Sequence, residues 1–392
     1  MAVSLYNDDP AAMKIGALLP RSSFQPLLQH NFQQGMQACL QYRQIPAELV
    51  TANIGYGTDP ALTQAEAEKM LLQEQVDVLI IYADQDALQN VAALSRSLNR
   101  LLLLVHNGAK YPHAWEPHPT VLSHTLNNTI QCRLTGRYAA AIAPQAAVCT
   151  SFYDGGYSHC HTLSQAYSDK GGSVAYNFVS QYKVQEFNSA PLQDFLRANT
   201  EVRALLGLFN GDLAHCFLQQ LQQADVATGL DLFASPMLLD ETLTEIYGAL
   251  RLPFRIRGYV PWVSSLDNKN NELLKAEFRR FSGREANILA MHGWDTGLIL
   301  EHIFNTANNH SFRAKDILAG FSDVTLDSAR GPLRMDSATQ HMIAPAWLVQ
   351  ANEAFKPEVI GAVEDTAQVW RDMIQEGFPT AATGWINTYL CA

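Results

Sequence analysis

Between residues 153 and 161 the chain reads YDGGYSHCH, an acid, two glycines, two tyrosines, two histidines and a cysteine within nine positions. Such side chains are ordinary ligands of a metal centre and ordinary acids, bases and nucleophiles of an enzyme. The spacing argues against a metal. If a helix starts near Tyr157, His159 and His161 point roughly 200° apart around it, a poor geometry for sharing one ion. Tyr157, Cys160, Leu163 and Tyr167 then form one apolar stripe, which places Cys160 inside. No metal ligand is assigned; what survives is a turn made by Asp154, Gly155 and Gly156, leading to Tyr157. Catalysis finds no motif either. GxSxG, GxxxxGK[ST] and HExxH are absent from the sequence, and YDGGY is not a full GxGxxG. Separated Ser, His and Asp residues can still meet in space, so an enzyme stays open as one reading, with no catalytic residue assigned and no cofactor implied.

The chain has 392 residues, too many for one ordinary core, which predicts two lobes or domains. Hydrophobic residues make up 47% and charged residues 17%, the composition of a globular protein with ample core material. The formal charge of −11 opposes nucleic acid and anionic membrane as partners. No stretch approaches the roughly 20 apolar residues that span a bilayer, and the N-terminus lacks the basic and apolar segments of a signal peptide. A cytosolic chain and one whose signal was trimmed both fit. The six cysteines contain no CxxC pair and are scattered through predicted elements, where cysteine is usually a small buried hydrophobe.

Short apolar runs alternate with helical patterns. Strands are predicted at 13–20, around 47–50, at 76–83 and at 100–108; helices at 32–43, within 59–74 and at 86–99. Continuous apolar strands between helices signal a parallel sheet covered on both faces. The pattern restarts near residue 130, with strands at 146–154, 172–179, 204–212 and 230–236 and helices between them. After 254 the chain returns to the first lobe. The tail after 350 carries Trp370 and Trp385 and is expected to pack, completing the second lobe or covering a surface.

Five segments together resemble type I periplasmic solute-binding proteins, the receptors of ABC importers for branched-chain amino acids, amides and urea. KIGALLPRSSFQPLLQHNFQQGMQACL (14–40) is similar to the family's first strand, ligand loop and G-x-x-A helix. DPALTQAEAEKMLLQEQVDVLIIYADQDA (59–87) resembles its helix and strand ending at the pocket. FYDGGYSHCHTLSQAYSDKGGSVAY (152–176) resembles the start of its second lobe. MHGWDTGLIL (291–300) resembles its GYDA helix, and SARGPLRMDSATQHMIAPAWLVQ (328–350) the Gly, Asp and His stretch of the amide and urea branch. The resemblance covers roughly 12–350 and rests on order and spacing. It implies an α/β fold of two Rossmann-like lobes, 12–125 plus 260–342 and 126–259 plus 343–392. Three crossings near 121–129, 254–263 and 340–350 would form a hinge around a ligand.

In such sheets ligands sit beyond the carboxyl ends of the strands, where loops meet helix N-termini. The resemblance therefore brings forward Ser22, Ser23 and Phe24 after the first strand, with a polar turn as the plainer reading. It also brings forward Tyr82, Asp84, Gln85 and Asp86. These acids disfavour a bare carboxylate and favour an amine, amide or hydroxyl, unless one of them merely caps the following helix. His106, Asn107 and Gly108 follow the next strand, where Gly108 at positive φ is the plainer reading and Lys110 could hold an acid. The second lobe contributes Tyr153, Asp154, Tyr157, Asn210 and Asp212. Amino-acid receptors of the family carry an acid near Pro236 or Met237, and none stands there; Asp212 is the candidate substitute. Asp295 is expected to cap the helix that follows it, with Trp294 in the cleft or the core.

The function adopted is a receptor that captures a small polar ligand for the membrane permease of an ABC importer, with a cytosolic ligand sensor on the same fold as the alternative; no enzyme is expected. The first implies an extracytoplasmic protein, monomeric or weakly dimeric, with no nucleic acid partner.

Overall fold

The computed structural model describes residues 12–109, 116–151, 156–243, 251–307 and 311–376. Their strands form two sheets. The first contains β1 (Met13–Leu19), β2 (Ala47–Asn53), β3 (Val78–Tyr82), β4 (Leu101–His106), β5 (Val121–Thr125), and, from late in the chain, β11 (Thr325–Ser328), β12 (Gly331–Asp336) and β13 (His341–Ile343). Their order is β11-β12-β13-β5-β4-β3-β1-β2. The second sheet contains β6 (Gln145–Ser151), β7 (Ser173–Ser180), β8 (Ala204–Gly207), β9 (Asp231–Ala234), β10 (Arg255–Val260), β14 (Ala346–Ala351) and β15 (Pro357–Val363), in the order β15-β14-β10-β9-β8-β6-β7. Neighbours among β1–β5 and among β6–β10 pair in parallel, while β12 and β14 pair antiparallel to both their neighbours. The chain crosses between the sheets after β5, after β10 and between β13 and β14.

Every residue of β3 and β4 is buried, because helices cover both faces. Val78, Ile80 and Tyr82 face α1 (Leu28–Tyr42) and, by the period of two, Leu79 and Ile81 face α2 (Pro60–Glu68) and α3 (Leu88–Leu98). Asp59 caps α2, accepting from Ala61 N at 2.9 Å and Leu62 N at 3.1 Å, with Pro60 at the first helical position. The single helix expected over 59–74 continues as a π-helical turn, Lys69–Gln73. In the second sheet, α4 (Asn128–Ile142), α5 (Gly156–Asp169), α6 (Ala190–Ala198) and α7 (Gly211–Gln222) alternate with the strands. Leu163 and Tyr167 of α5 are fully buried and Cys160 half-buried, as the apolar stripe requires; Cys39, Cys132, Cys149, Cys160 and Cys216 are all free thiols.

After β10 the chain forms α8 (Lys269–Ser282) and α9 (Ile288–Thr306), which returns to α1. The contact is unusually close. A Cβ at Gly35 would overlap the Ala290 carbonyl, and one at Gly293 the Phe32 carbonyl, so the two helices meet backbone to backbone through glycine. Gly35→Ala should cost about 1–3 kcal/mol by overpacking, read by urea unfolding.

Asp295 does not cap a helix. Helix α9 begins seven residues earlier, where the Asn287 side chain accepts from Ala290 N at 3.0 Å, and leaves Asp295 buried in mid-helix. Trp294 is 1% exposed and packs toward Tyr42, so it belongs to the core. The remaining helices are α10 (Ala314–Gly320) and α11 (Thr366–Glu376). The tail packs as expected: β15 extends the second sheet, and Trp370 is 5% exposed. Trp385 lies outside the described residues.

Candidate functional site

The parallel strands of both sheets end in loops that face one another. After β1, Ser22 Oγ accepts from Gln25 N at 2.9 Å and turns the loop. This sends the Gln25 side chain across to the loop after β9. There Gln25 Nε2 donates to Thr242 Oγ1 at 2.7 Å and to Asp240 Oδ2 at 3.4 Å, while Asp240 Oδ1 accepts from Thr242 N at 3.0 Å. All three residues are at least nine-tenths buried, so the contact is shielded from water. Beside it the Phe24 ring lies on Gly211, whose φ of +52° and crowded Cα position suit only glycine. Gly211 opens α7 and Asn210 precedes it as the N-cap position, buried, without a side-chain capping bond.

The loop after β4 is fastened to the start of α4. His106 Nδ1 accepts from Gly108 N at 3.0 Å, which puts the imidazole proton on Nε2, and Asn107 Oδ1 accepts from Ala109 N at 3.0 Å. The Asn107 and Gly108 carbonyls accept from Asn128 N and Thr129 N, both at 3.1 Å. Gly108 has φ +73°, and a Cβ there would press on the Asn127 backbone at 2.9 Å. The first amides of α4 are thus satisfied by the candidate ligand loop itself. From the other sheet, Met237 Sδ receives Asn128 Nδ2 at 3.6 Å, and Ser235 is fully buried beside it in sequence.

After β3, Asp84 and Gln85 are half-buried, and Asp84 makes no side-chain capping bond to the short turn Gln85–Ala87. Tyr82 is placed elsewhere. Its ring is fully buried beneath the sheet, edge-on to Phe32 at 5.1 Å and to His292 at 5.9 Å. It therefore belongs to the core, because the period of two turns it toward α1 while its neighbours turn away. Ser23 and Asp212 are exposed. Tyr153, Asp154 and Lys110 lie outside the described residues, as do the side chains of Asp86 and Tyr157.

The structure thus brings Phe24 to Asn210–Gly211 and His106–Gly108 to α4. It also adds Gln25, Asp240, Thr242 and Asn128, which the sequence reading missed. In the loop after β9, a few residues past Pro236 and Met237, stands the buried acid Asp240, whereas Asp212 is exposed. The visible signal was the pair Asp240–Glu241 in that loop.

Behind the loops lies a second polar group. Arg330 and Asp295 are fully buried and paired, Nε to Oδ2 at 2.8 Å. Arg330 also donates from Nη2 to the Thr125 carbonyl at 3.1 Å, and its own carbonyl receives Trp347 Nε1 at 3.0 Å. One side chain and its backbone therefore tie the crossing after β5 to the crossing into β14. Burial pushes the Asp295 carboxyl up, and the guanidinium opposes it. His124 and His292 pack together nearby at a tilt, centroids 4.6 Å apart; burial holds both well below the usual imidazole range, so both are neutral. Among the described residues, no group of three or more His, Cys, Asp or Glu is placed to hold a metal, and no helix is long and apolar enough to cross a membrane.

The profile of a periplasmic binding protein family matches residues 12–356. No curated protein sequence matches the chain significantly. Among solved structures, a solute-binding protein of an ABC transporter from R. palustris, in complex with benzoate, has a TM-score of 0.72 at 19% identity, covering 91% of this chain and 99% of its own. An ABC transporter substrate-binding protein from Sphaerobacter thermophilus reaches 0.77 at 14% identity, covering 91% and 98%. A branched chain amino acid ABC transporter ligand-binding protein from Burkholderia xenovorans gives 0.72 at 11%, covering 90% and 96%. These likenesses carry the fold: two α/β lobes of the type I arrangement. With most of its length matched, the chain belongs to the periplasmic binding protein family, solute-binding proteins rather than enzymes.

Proposed function

We propose that this chain is the extracytoplasmic receptor of an ABC importer and captures a small polar solute between its two lobes. The observation that carries the reading is the bridge from Gln25 to Asp240 and Thr242, with Phe24 resting on Gly211: loops of the two sheets meet where strand ends and helix starts offer hydrogen bonds. The lobes turn about the three crossings, close on the solute and present that form to a membrane permease. Asp240 and Asp84 put negative charge at the loops, which favours a solute bearing an amine, amide or hydroxyl over a bare carboxylate. The solved relatives divide on this chemistry. Some hold benzoate or 4-hydroxybenzoate and others are called branched-chain amino acid binders. An amino acid, whose ammonium could meet the acids, fits the charge better than benzoate.

A thermal-shift screen over amino acids, amides, urea, polyamines and aromatic acids tests this, since a ligand that binds only the folded state raises the melting temperature. A hit carrying a donor group is expected. In calorimetry with that compound, Gln25→Ala should weaken binding about tenfold, the loss of a buried hydrogen bond near 1.4 kcal/mol. Tight binding of benzoate with no response to amines or amides would overturn the ligand class. Unchanged affinity in Gln25→Ala would overturn the role of the bridge.

A further inference from the structure

Helix α11 lies beyond the residues that the family profile matches, and it touches both sheets. It follows β15, the edge strand of the second sheet. Its apolar face, Val369, Trp370 and Met373, rests on Ile130 and Leu134 of α4 and on Ile343 and Ala346, which flank the last crossing. At one end Glu376 forms a two-pronged pair with Arg133 of α4, at 2.6 and 2.5 Å. Midway along the helix, Arg371 donates to Asp336 at 3.1 Å, and Trp370 Nε1 donates to Thr339 Oγ1 at 3.0 Å. Asp336 and Thr339 belong to the β12–β13 hairpin of the first sheet, and the Trp370 ring packs at a tilt against His341 of β13, centroids 4.6 Å apart. In each pair one partner is buried, Asp336 at 5% and Arg133 at 8% exposure, while Arg371 and Glu376 themselves are exposed at 39% and 50%.

We infer that α11 is a strap across the hinge, and that Arg371, Trp370 and Glu376 set how readily the lobes open although they lie apart from the Gln25 bridge. The inference rests on the hinge reading above. In the first sheet, β13 and β1 are four strand spacings apart, roughly 20 Å, so the Gln25 bridge and the strap flank the molecule from opposite sides. A rotation that parts Gln25 from Thr242 also changes the angle between α4 and the β12–β13 hairpin. Helix α11 is bonded to both and must release one of the two contacts. Its bonds therefore add to the free energy of opening, and the fraction of closed molecules scales the apparent affinity for any solute.

The test needs no solute. Spin-labelled residues placed at Glu68 and Glu201, one exposed position on each lobe, report the interlobe distance by pulsed electron resonance on the full chain. Arg371→Glu frees the first-sheet contact and Glu376→Ala the contact with α4. Each is expected to lower the ratio of short to long distances about tenfold, equivalent to about 1.4 kcal/mol. Arg371→Lys, which keeps the pair, should restore the parent distribution. A helix of merely structural role would lower the melting temperature and leave the distances alone, and that result overturns the strap. Gln25→Ala serves as the reference. If it adds the long population and neither strap variant does, the strap is refuted while the hinge stands; if no variant moves the lobes, the hinge reading has failed as well.

Discussion

Arg330→Met is expected to lower the unfolding free energy by about 3–5 kcal/mol, because it strands the Asp295 carboxylate in the core of the first lobe. Both partners are fully buried, and the arginine also donates to the Thr125 carbonyl, so the variant loses the pair and leaves that acceptor without its donor. Urea denaturation reads the loss directly. The double variant Arg330→Met/Asp295→Leu should recover much of it, since an apolar pair of similar bulk carries no uncompensated charge. A single variant that costs under about 1 kcal/mol would show that the pair is not the anchor its burial implies.

Acid should destabilise the fold well above the range in which exposed carboxylates titrate. His341 is buried against Trp370 and Thr339, and burial lowers its pKa from 6.5 to about 4. His124 and His292 are lowered well below 6.5 by the same cause. Each is a base whose folded value lies below its unfolded one, so between those values the unfolded chain binds more protons. Stability is therefore complete above about pH 7 and is lost as the pH falls through 6.5 toward 4. His341 alone accounts for about 3 kcal/mol across that window. Melting temperatures measured from pH 7.5 to 4.5 should fall steeply, and His341→Asn, which keeps a donor for the Thr339 carbonyl, should flatten the curve. A parent curve that is level from pH 7 to 5 would contradict the buried neutral histidines.

What could be read from the sequence follows from where the physics is local. Strands β3 and β4 announce themselves as unbroken apolar runs, and Asp59–Pro60 marks a helix start by chain-local chemistry. Strand β5, VLSHT, was not legible as a strand, because its Ser123, His124 and Thr125 are polar yet buried in the network around His292 and Arg330. The same limit separates the site residues. Gly108 could be recognised as a turn glycine from its place at a strand end. Gln25 could not be matched to Asp240, 215 positions away, since nothing in either segment names the other. Tyr82 stood at the right strand end but on the wrong parity, and a strand's parity is fixed by packing partners distant in sequence. Asp295 looked like a cap because the apolar run after it is long; its partner Arg330 lies a helix and a strand away.

The glycine contact between α1 and α9 bears on how the molecule can move. The loop carrying Phe24 and Gln25 runs straight into α1, and α1 meets α9 with no side chain between the backbones at Gly35 and Gly293. A joint of that kind has no slack: a helix cannot roll or slide there without carbonyl meeting backbone. The finger that reaches the opposite lobe is thus mounted on a rigid block. In the proposed closure, the travel that brings Gln25 onto Thr242 is therefore supplied by the three crossings, and the loop that carries Gln25 moves as one piece with α1 and α9.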